Sequence, residues 1–143
     1  LLEKATELGV KEIHPLIMNR SVFQTIDLDR CKKILIASAK QCRRSFFPII
    51  HEPKSLESLL KKEKIYTYYA CHLEADLNLL SFNVPKIYPI NLIIGPEGGF
   101  SESELGLMEK KGIIFFSLGI RRLRSETAAI TSLALLNKMV EFK

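Results

Sequence analysis

The stretch Ile93-Ile94-Gly95-Pro96-Glu97-Gly98-Gly99-Phe100-Ser101-Glu102-Ser103-Glu104 constrains the fold more than any other part of the chain. An apolar run stops at a proline and three of the seven glycines of the sequence, and a helix then opens. Without a Cβ, glycine lets backbone turn sharply and come close to a ligand. Ser101 and Glu104 have the spacing of a capping box, which predicts a helix start at Ser101. A strand, a tight glycine loop and a helix start is how α/β proteins build sites from main-chain atoms.

The rest of the chain repeats that alternation. Leu1 to Leu8 reads as a helix end stopped by Gly9, and Val10 to Met18 as a strand interrupted by Pro15. Asp27 or Asp29 caps a helix running to about Arg43, with Leu28, Cys31, Leu35, Ser38 and Cys42 at helical spacing. Ile49-Ile50 is a short strand, Ser55 caps a helix carrying Leu56, Leu59 and Leu60, and Ile65 to Cys71 is a strand. Residues 73 to 90, with Pro85 and Pro89, are irregular. Asn91 to Gly95 and Ile113 to Leu118 are buried strands around a helix from Ser101 to Lys111, closed by Gly112. A last helix runs from Glu126 to about Phe142, with Ile130, Leu133, Ala134, Leu136 and Val140 inward and Glu126 or Thr127 as its cap. Strands apolar throughout, alternating with helices, predict a mainly parallel sheet covered on both faces.

At 143 residues the chain is expected to be one domain, and its 47% hydrophobic and 26% charged residues are those of a globular protein. No apolar run has the length of a membrane span and no signal peptide is visible, so a cytoplasmic location is expected. The net charge of +5 fits a polyanionic partner, and the arginines cluster at Arg43-Arg44 and Arg121-Arg122-Arg124. Cys31, Cys42 and Cys71 form no CxxC, and His14, His51 and His72 are scattered without ligand spacing, so no metal is expected. GxGxxG, GxxxxGK[ST] and GxSxG are all absent, which argues against a dinucleotide fold, a P-loop and an α/β-hydrolase.

Two loops then stand out at strand ends, Gly95 to Phe100 and Gly119 to Ser125, where open α/β sheets bind ligands. Gly95-Pro96-Glu97-Gly98-Gly99, followed by Leu118-Gly119-x-Arg121-x-Leu123-Arg124-x-Glu126-Thr127-Ala128, resembles the RsmE family of ribosomal RNA small-subunit methyltransferases. Glu3-Lys4-Ala5-Thr6-Glu7-Leu8-Gly9-Val10, Pro15-Leu16 and Arg20-Ser21 extend the likeness over nearly the whole chain. The resemblance implies a SPOUT-type α/β fold with a C-terminal trefoil knot, and a homodimer that methylates uridine N3 in 16S rRNA of the small ribosomal subunit. It implies S-adenosylmethionine as cofactor, held by His72, Ile94, Gly95, Pro96, Glu97, Gly98, Gly99, Leu118, Gly119 and Leu123. For the reaction, Arg124 is the expected cationic group, Glu126 the candidate base and Arg121 the expected phosphate-positioning group, and Arg20, Arg43 and Arg44 are expected to face RNA.

The sequence departs from the family in three respects. The family's N-terminal RNA-binding barrel is absent from this chain. Its Glu-Gln-x-Gly-Arg segment stands as Lys40-Gln41-Cys42-Arg43-Arg44, and Arg122 replaces a usual aliphatic residue. Two other readings are a ribose 2′-O-methyltransferase of the same fold, against which the Leu123-Arg124-x-Glu126-Thr127 loop argues, and a non-catalytic RNA-binding or assembly module.

Overall fold

The computed structural model describes residues 1–22, 25–61, 67–78 and 89–141. Their elements run α1 (Leu2–Glu7), β1 (Glu12–Ile13), β2 (Leu16–Ile17), α2 (Leu28–Gln41), β3 (Ile49–Ile50), β4 (Lys54–Ser55), α3 (Leu56–Leu60), β5 (Thr67–Cys71), β6 (Ile90–Ile94), α4 (Glu102–Lys110), β7 (Ile114–Phe116) and α5 (Ser125–Glu141). Every strand pairing among the described residues is parallel, as the unbroken apolar strands require.

The central sheet has the order β6-β5-β7. Its middle strand is buried on both faces, and alternation along it divides the core. Tyr68 and Ala70 join Met18, Leu56, Leu60, Ile93, Phe100, Met108 and Ile113 on one side. Tyr69 and Cys71 join Phe116 and Leu136 on the other. Helices α3 and α4 therefore cover one face and α5 the other. A third cluster packs Cys31 and Leu35 of α2 against Ile50 of β3.

The helix ends follow sequence chemistry closely. Asp27 caps α2 by accepting from the Arg30 amide, Ser55 caps α3, and both halves of the Ser101–Glu104 capping box are formed. Helices α1, α2 and α4 all end in the same double hydrogen bond. In α1, Gly9 donates to Thr6 and Val10 to Ala5. In α4, Gly112 donates to Glu109 and Ile113 to Met108. In α2, Arg43 donates to Lys40 and Arg44 to Ala39. This motif puts its first non-helical residue in the left-handed region, and φ is +88° at Gly9, +68° at Gly112 and +55° at Arg43.

Three expectations change. Strand β4 was not foreseen; it pairs with β2 in a register shifted by one residue from that of β1 with β3, so the ladder carries a bulge beside Pro15. Helix α5 begins at Ser125, and Glu126 lies in its first turn. Its buried face is Ala128, Ala129, Ser132 and Leu136, whereas Ile130 and Leu133 are half-buried and Ala134 is exposed. The expected face was drawn from hydrophobicity alone, and Ser132 rather than Ala134 sits inward. The start of the strand expected from Ile65, most of residues 79–90, the side chain of Val140 and the helix end at Phe142 lie outside the described residues.

Candidate functional site

Because β5, β6 and β7 are parallel, their carboxyl ends share one edge. His72 follows β5, Gly95 follows β6 and Ser117 follows β7. The His72 amide donates to Phe116 O at 2.9 Å. Its ring lies 6.2 Å from Phe100 and 6.1 Å from Phe115, centroid to centroid, and so rests on the sheet's aromatic floor. Beside it, burial pushes the Cys71 thiol up, and a Ser132 hydrogen bond opposes this only in part.

Residues Pro96 to Gly99 form a turn closed by Gly99 N–H donating to Pro96 O at 2.8 Å, with φ +71° at Gly99. Gly98 has a different requirement. A Cβ there would lie 2.8 Å from Arg20 Cβ and 3.3 Å from Arg20 O. Gly98 is therefore required by the close approach of Arg20. Arg20 returns the contact by donating to Gly98 O at 3.1 Å. Asn19 reinforces it: its amide N–H donates to Glu104 Oε1 at 2.8 Å, and its side chain donates to Ser101 Oγ at 2.9 Å. The segment after β2 is thus bound to the glycine loop and the α4 cap.

The chain leaves β7 on one flank of β5 and returns to β6 on the other. The Ser125 hydroxyl donates to Gly95 O at 2.8 Å, and Arg122 reaches Glu97 O at 3.4 Å. Leu118, Gly119, Ile120, Arg121 and Leu123 line an open surface depression of about 330 Å³. Gly119 has φ +111°, and the space its Cβ would take is open. Ile120, Leu123, Arg121 and Arg124 are all exposed around it.

Of the expected site residues, the structure brings together Ile94, Gly95, Pro96, Glu97, Gly98, Gly99, Leu118, Gly119, Arg121, Leu123 and His72 at this edge. Arg124 and Glu126 flank Ser125 and are exposed. Arg20 joins the glycine loop, whereas Arg43 and Arg44 lie apart at the end of α2. Arg44 has intramolecular partners. Its guanidinium donates to Thr6 O at 2.8 Å, Val10 O at 3.0 Å and Gly9 O at 3.2 Å, bracing the carboxyl end of α1. Arg43 is the exposed member of the pair. Sequence reasoning also missed Asn19, Ser125 and Arg122 as the groups joining the loops. The only available signal for Ser125 was a hydroxyl at the mouth of a helix.

An α/β domain with two hydrogen-bonded loops at a shared carboxyl edge has the layout in which open sheets bind small ligands. Residues 1–137 match the model of the RNA methyltransferase domain, and the chain belongs to that family. It is 35% identical over 136 residues to ribosomal RNA small subunit methyltransferase E of Rickettsia conorii, covering 93% of this chain and 56% of that protein. The corresponding protein of Mesomycoplasma hyopneumoniae is 38% identical over 137 residues, covering 90% and 59%. The solved structure of the Neisseria gonorrhoeae methyltransferase E, bound to S-adenosyl methionine, superposes with a TM-score of 0.89 at 28% identity, covering 96% of this chain and 59% of that one. The chain thus spans a little over half the length of these relatives. The RsmE likeness read from the two loops is borne out, and the fold is of the SPOUT type. Among the described residues, no helix is long and apolar enough to cross a membrane.

Proposed function

We propose that this chain is the S-adenosylmethionine-dependent catalytic domain of an RNA methyltransferase acting on uridine N3 in 16S rRNA. The observation that carries the reading is the depression of Leu118, Gly119, Arg121 and Leu123, attached through Ser125 and Arg122 to the Gly95–Gly99 loop. The open space above Gly119 fits a ligand held by backbone. Leu118, Gly119 and Leu123 would hold the cofactor from one side, and Ile94, Gly95, Pro96, Glu97 and Gly99 from the other, with His72 beneath. Gly98 serves by keeping that loop on Arg20. Bound there, the cofactor supplies a methyl group already activated by a sulfonium.

The protein's own work is then alignment and charge. Uracil N3 carries its proton at neutral pH and attacks well only after losing it. Arg124, next to Leu123, is the proposed cation that stabilises the uracil anion. Glu126 is the proposed acceptor of the N3 proton at its carboxylate, and Arg121 positions a backbone phosphate. Arg20 and Arg43 extend the basic surface toward RNA.

Three finer features belong to the same reading. The return of the chain from β7 to β6 supports a trefoil knot. The half-buried Ile130 and Leu133 beside exposed Ala134 on α5 support a homodimer that completes each site. The small-subunit substrate implies a cytoplasmic protein whose RNA affinity gains from a barrel such as the family's. Titration calorimetry tests the site: S-adenosylmethionine should bind saturably, and Gly119→Val should abolish binding while leaving a cooperative thermal transition. Absence of binding to the folded wild-type chain, or unchanged affinity in a folded Gly119→Val variant, would refute it.

A further inference from the structure

The sequence separates His14 and His51 by 36 intervening residues, but the fold sets them side by side. Strands β1 and β3 are parallel with Ile13 opposite Ile50, and His51 N–H donates to Ile13 O at 2.9 Å. The next residue on each strand is a histidine. Their rings stack at 4.0 Å with an interplanar angle of 11°. Glu12, two residues before His14 and so on the same side of the strand, meets both. Its Oε2 lies 2.8 Å from His51 Nε2 and 3.6 Å from His14 Nε2. One ligand atom from each of the three residues lies within 4.8 Å of the others. Scattered in the sequence, His14 and His51 are thus brought beside Glu12 by the fold.

We propose that Glu12, His14 and His51 bind one divalent cation of the zinc class. Two imidazole nitrogens and one carboxylate oxygen are a donor set that zinc accepts and that magnesium and calcium, which prefer oxygen, do not favour. Bonds of about 2.0–2.2 Å at tetrahedral angles put ligand atoms about 3.3–3.6 Å apart. Glu12 Oε2 lies 2.8 and 3.6 Å from the two imidazole nitrogens and all three ligand atoms lie within 4.8 Å of one another, so small side-chain rotations that splay the stacked rings bring them to coordinating geometry. The side chains are 29%, 36% and 54% exposed for His14, His51 and Glu12, which leaves an entry path and room for water as a fourth ligand.

The site lies beside Pro15, where the ladder changes register between β1–β3 and β2–β4. Each of those pairings is only two residues long. The segment that follows β2, Asn19-Arg20, is hydrogen-bonded to the α4 cap and the glycine loop. A cation bridging the two strands would fix the bulge beside Pro15 and stabilise the native state by mass action. This inference does not depend on the proposed methyltransferase activity.

The test uses the full chain stripped with chelator. Zinc titrated by calorimetry should bind with one equivalent per chain and raise the melting temperature, and magnesium should do neither. Cobalt in its place should give the visible absorption of a tetrahedral nitrogen and oxygen site without thiolate charge transfer. His51→Ala and the conservative Glu12→Gln should each weaken binding by about tenfold or more, since a site loses affinity steeply with each ligand. Retained melting transitions without metal establish that both variants fold. Lack of saturable zinc binding, binding that both variants keep, or a thiolate signature from the cysteines would overturn the proposal.

Discussion

Replacing Arg43 by glycine should stabilise this protein and weaken its hold on RNA at once. Arg43 ends α2 with φ +55°, in the position that Gly9 and Gly112 fill at the ends of α1 and α4. An L-residue in the left-handed region costs about 1–2 kcal/mol. Glycine's greater freedom in the unfolded chain offsets about 0.5–1 kcal/mol of the gain. The net stabilisation, taken at the midpoints of both ranges, should be about 0.75 kcal/mol. A chain of 143 residues unfolds with an entropy of roughly 0.3 kcal/mol/K, so the melting temperature should rise by about 2–3 °C. Arg43→Ala is the control. It removes the same charge but keeps a Cβ in the same backbone state, and its melting temperature should not rise. If the exposed Arg43 meets a phosphate, both variants should lower RNA affinity, and each should flatten the salt dependence by about 0.7 per lost contact. Scanning calorimetry and salt-dependent RNA binding read the two effects separately. An Arg43→Gly melting temperature equal to or below that of wild type would refute the backbone argument. Unchanged RNA binding in both variants would remove Arg43 from the interface.

Gly98→Ala should destabilise by about 1–3 kcal/mol, because its Cβ would meet Arg20 Cβ at 2.8 Å; in an Arg20→Gly background the cost should shrink, and additive effects in denaturant melts would show that the contact is not the cause. Arg124→Ala should lower single-turnover methyl transfer by roughly 10²-fold on saturating RNA while cofactor affinity changes much less; a full rate would move the cationic role to Arg121 or to the partner subunit. The outer face of α5 should make the protein dimeric at micromolar concentration, and sedimentation showing only a 16.3 kDa species would refute the shared site.

Much of this architecture was legible in local chemistry. Asp27, Ser55 and the Ser101–Glu104 pair marked helix starts because capping is decided by a few neighbouring atoms. The apolar strands predicted a parallel sheet because only a doubly covered strand can be apolar on both faces, as Tyr69 and Ala70 are. The two loops of the site were legible because turns need glycine. What the sequence hid depends on contacts between distant segments. Nothing near Gly98 in the sequence points to Arg20, and nothing near Ser125 points to Gly95. Arg44 looked like a phosphate ligand because its charge is visible in sequence and the carbonyls of Thr6, Gly9 and Val10 that occupy it are not. His14 and His51 come together only through the β1–β3 register, which no spacing within one segment encodes.

The most direct test of the central claim is transfer of a labelled methyl group from S-adenosylmethionine to small ribosomal subunits lacking the modification, followed by digestion of the RNA to nucleosides. The chain should be assayed both alone and joined to an N-terminal RNA-binding barrel of the kind the family carries. The account predicts label in 3-methyluridine from 16S rRNA, dependent on Arg124. Label in a 2′-O-methylated nucleoside, or cofactor binding with no transfer by either form, would contradict it.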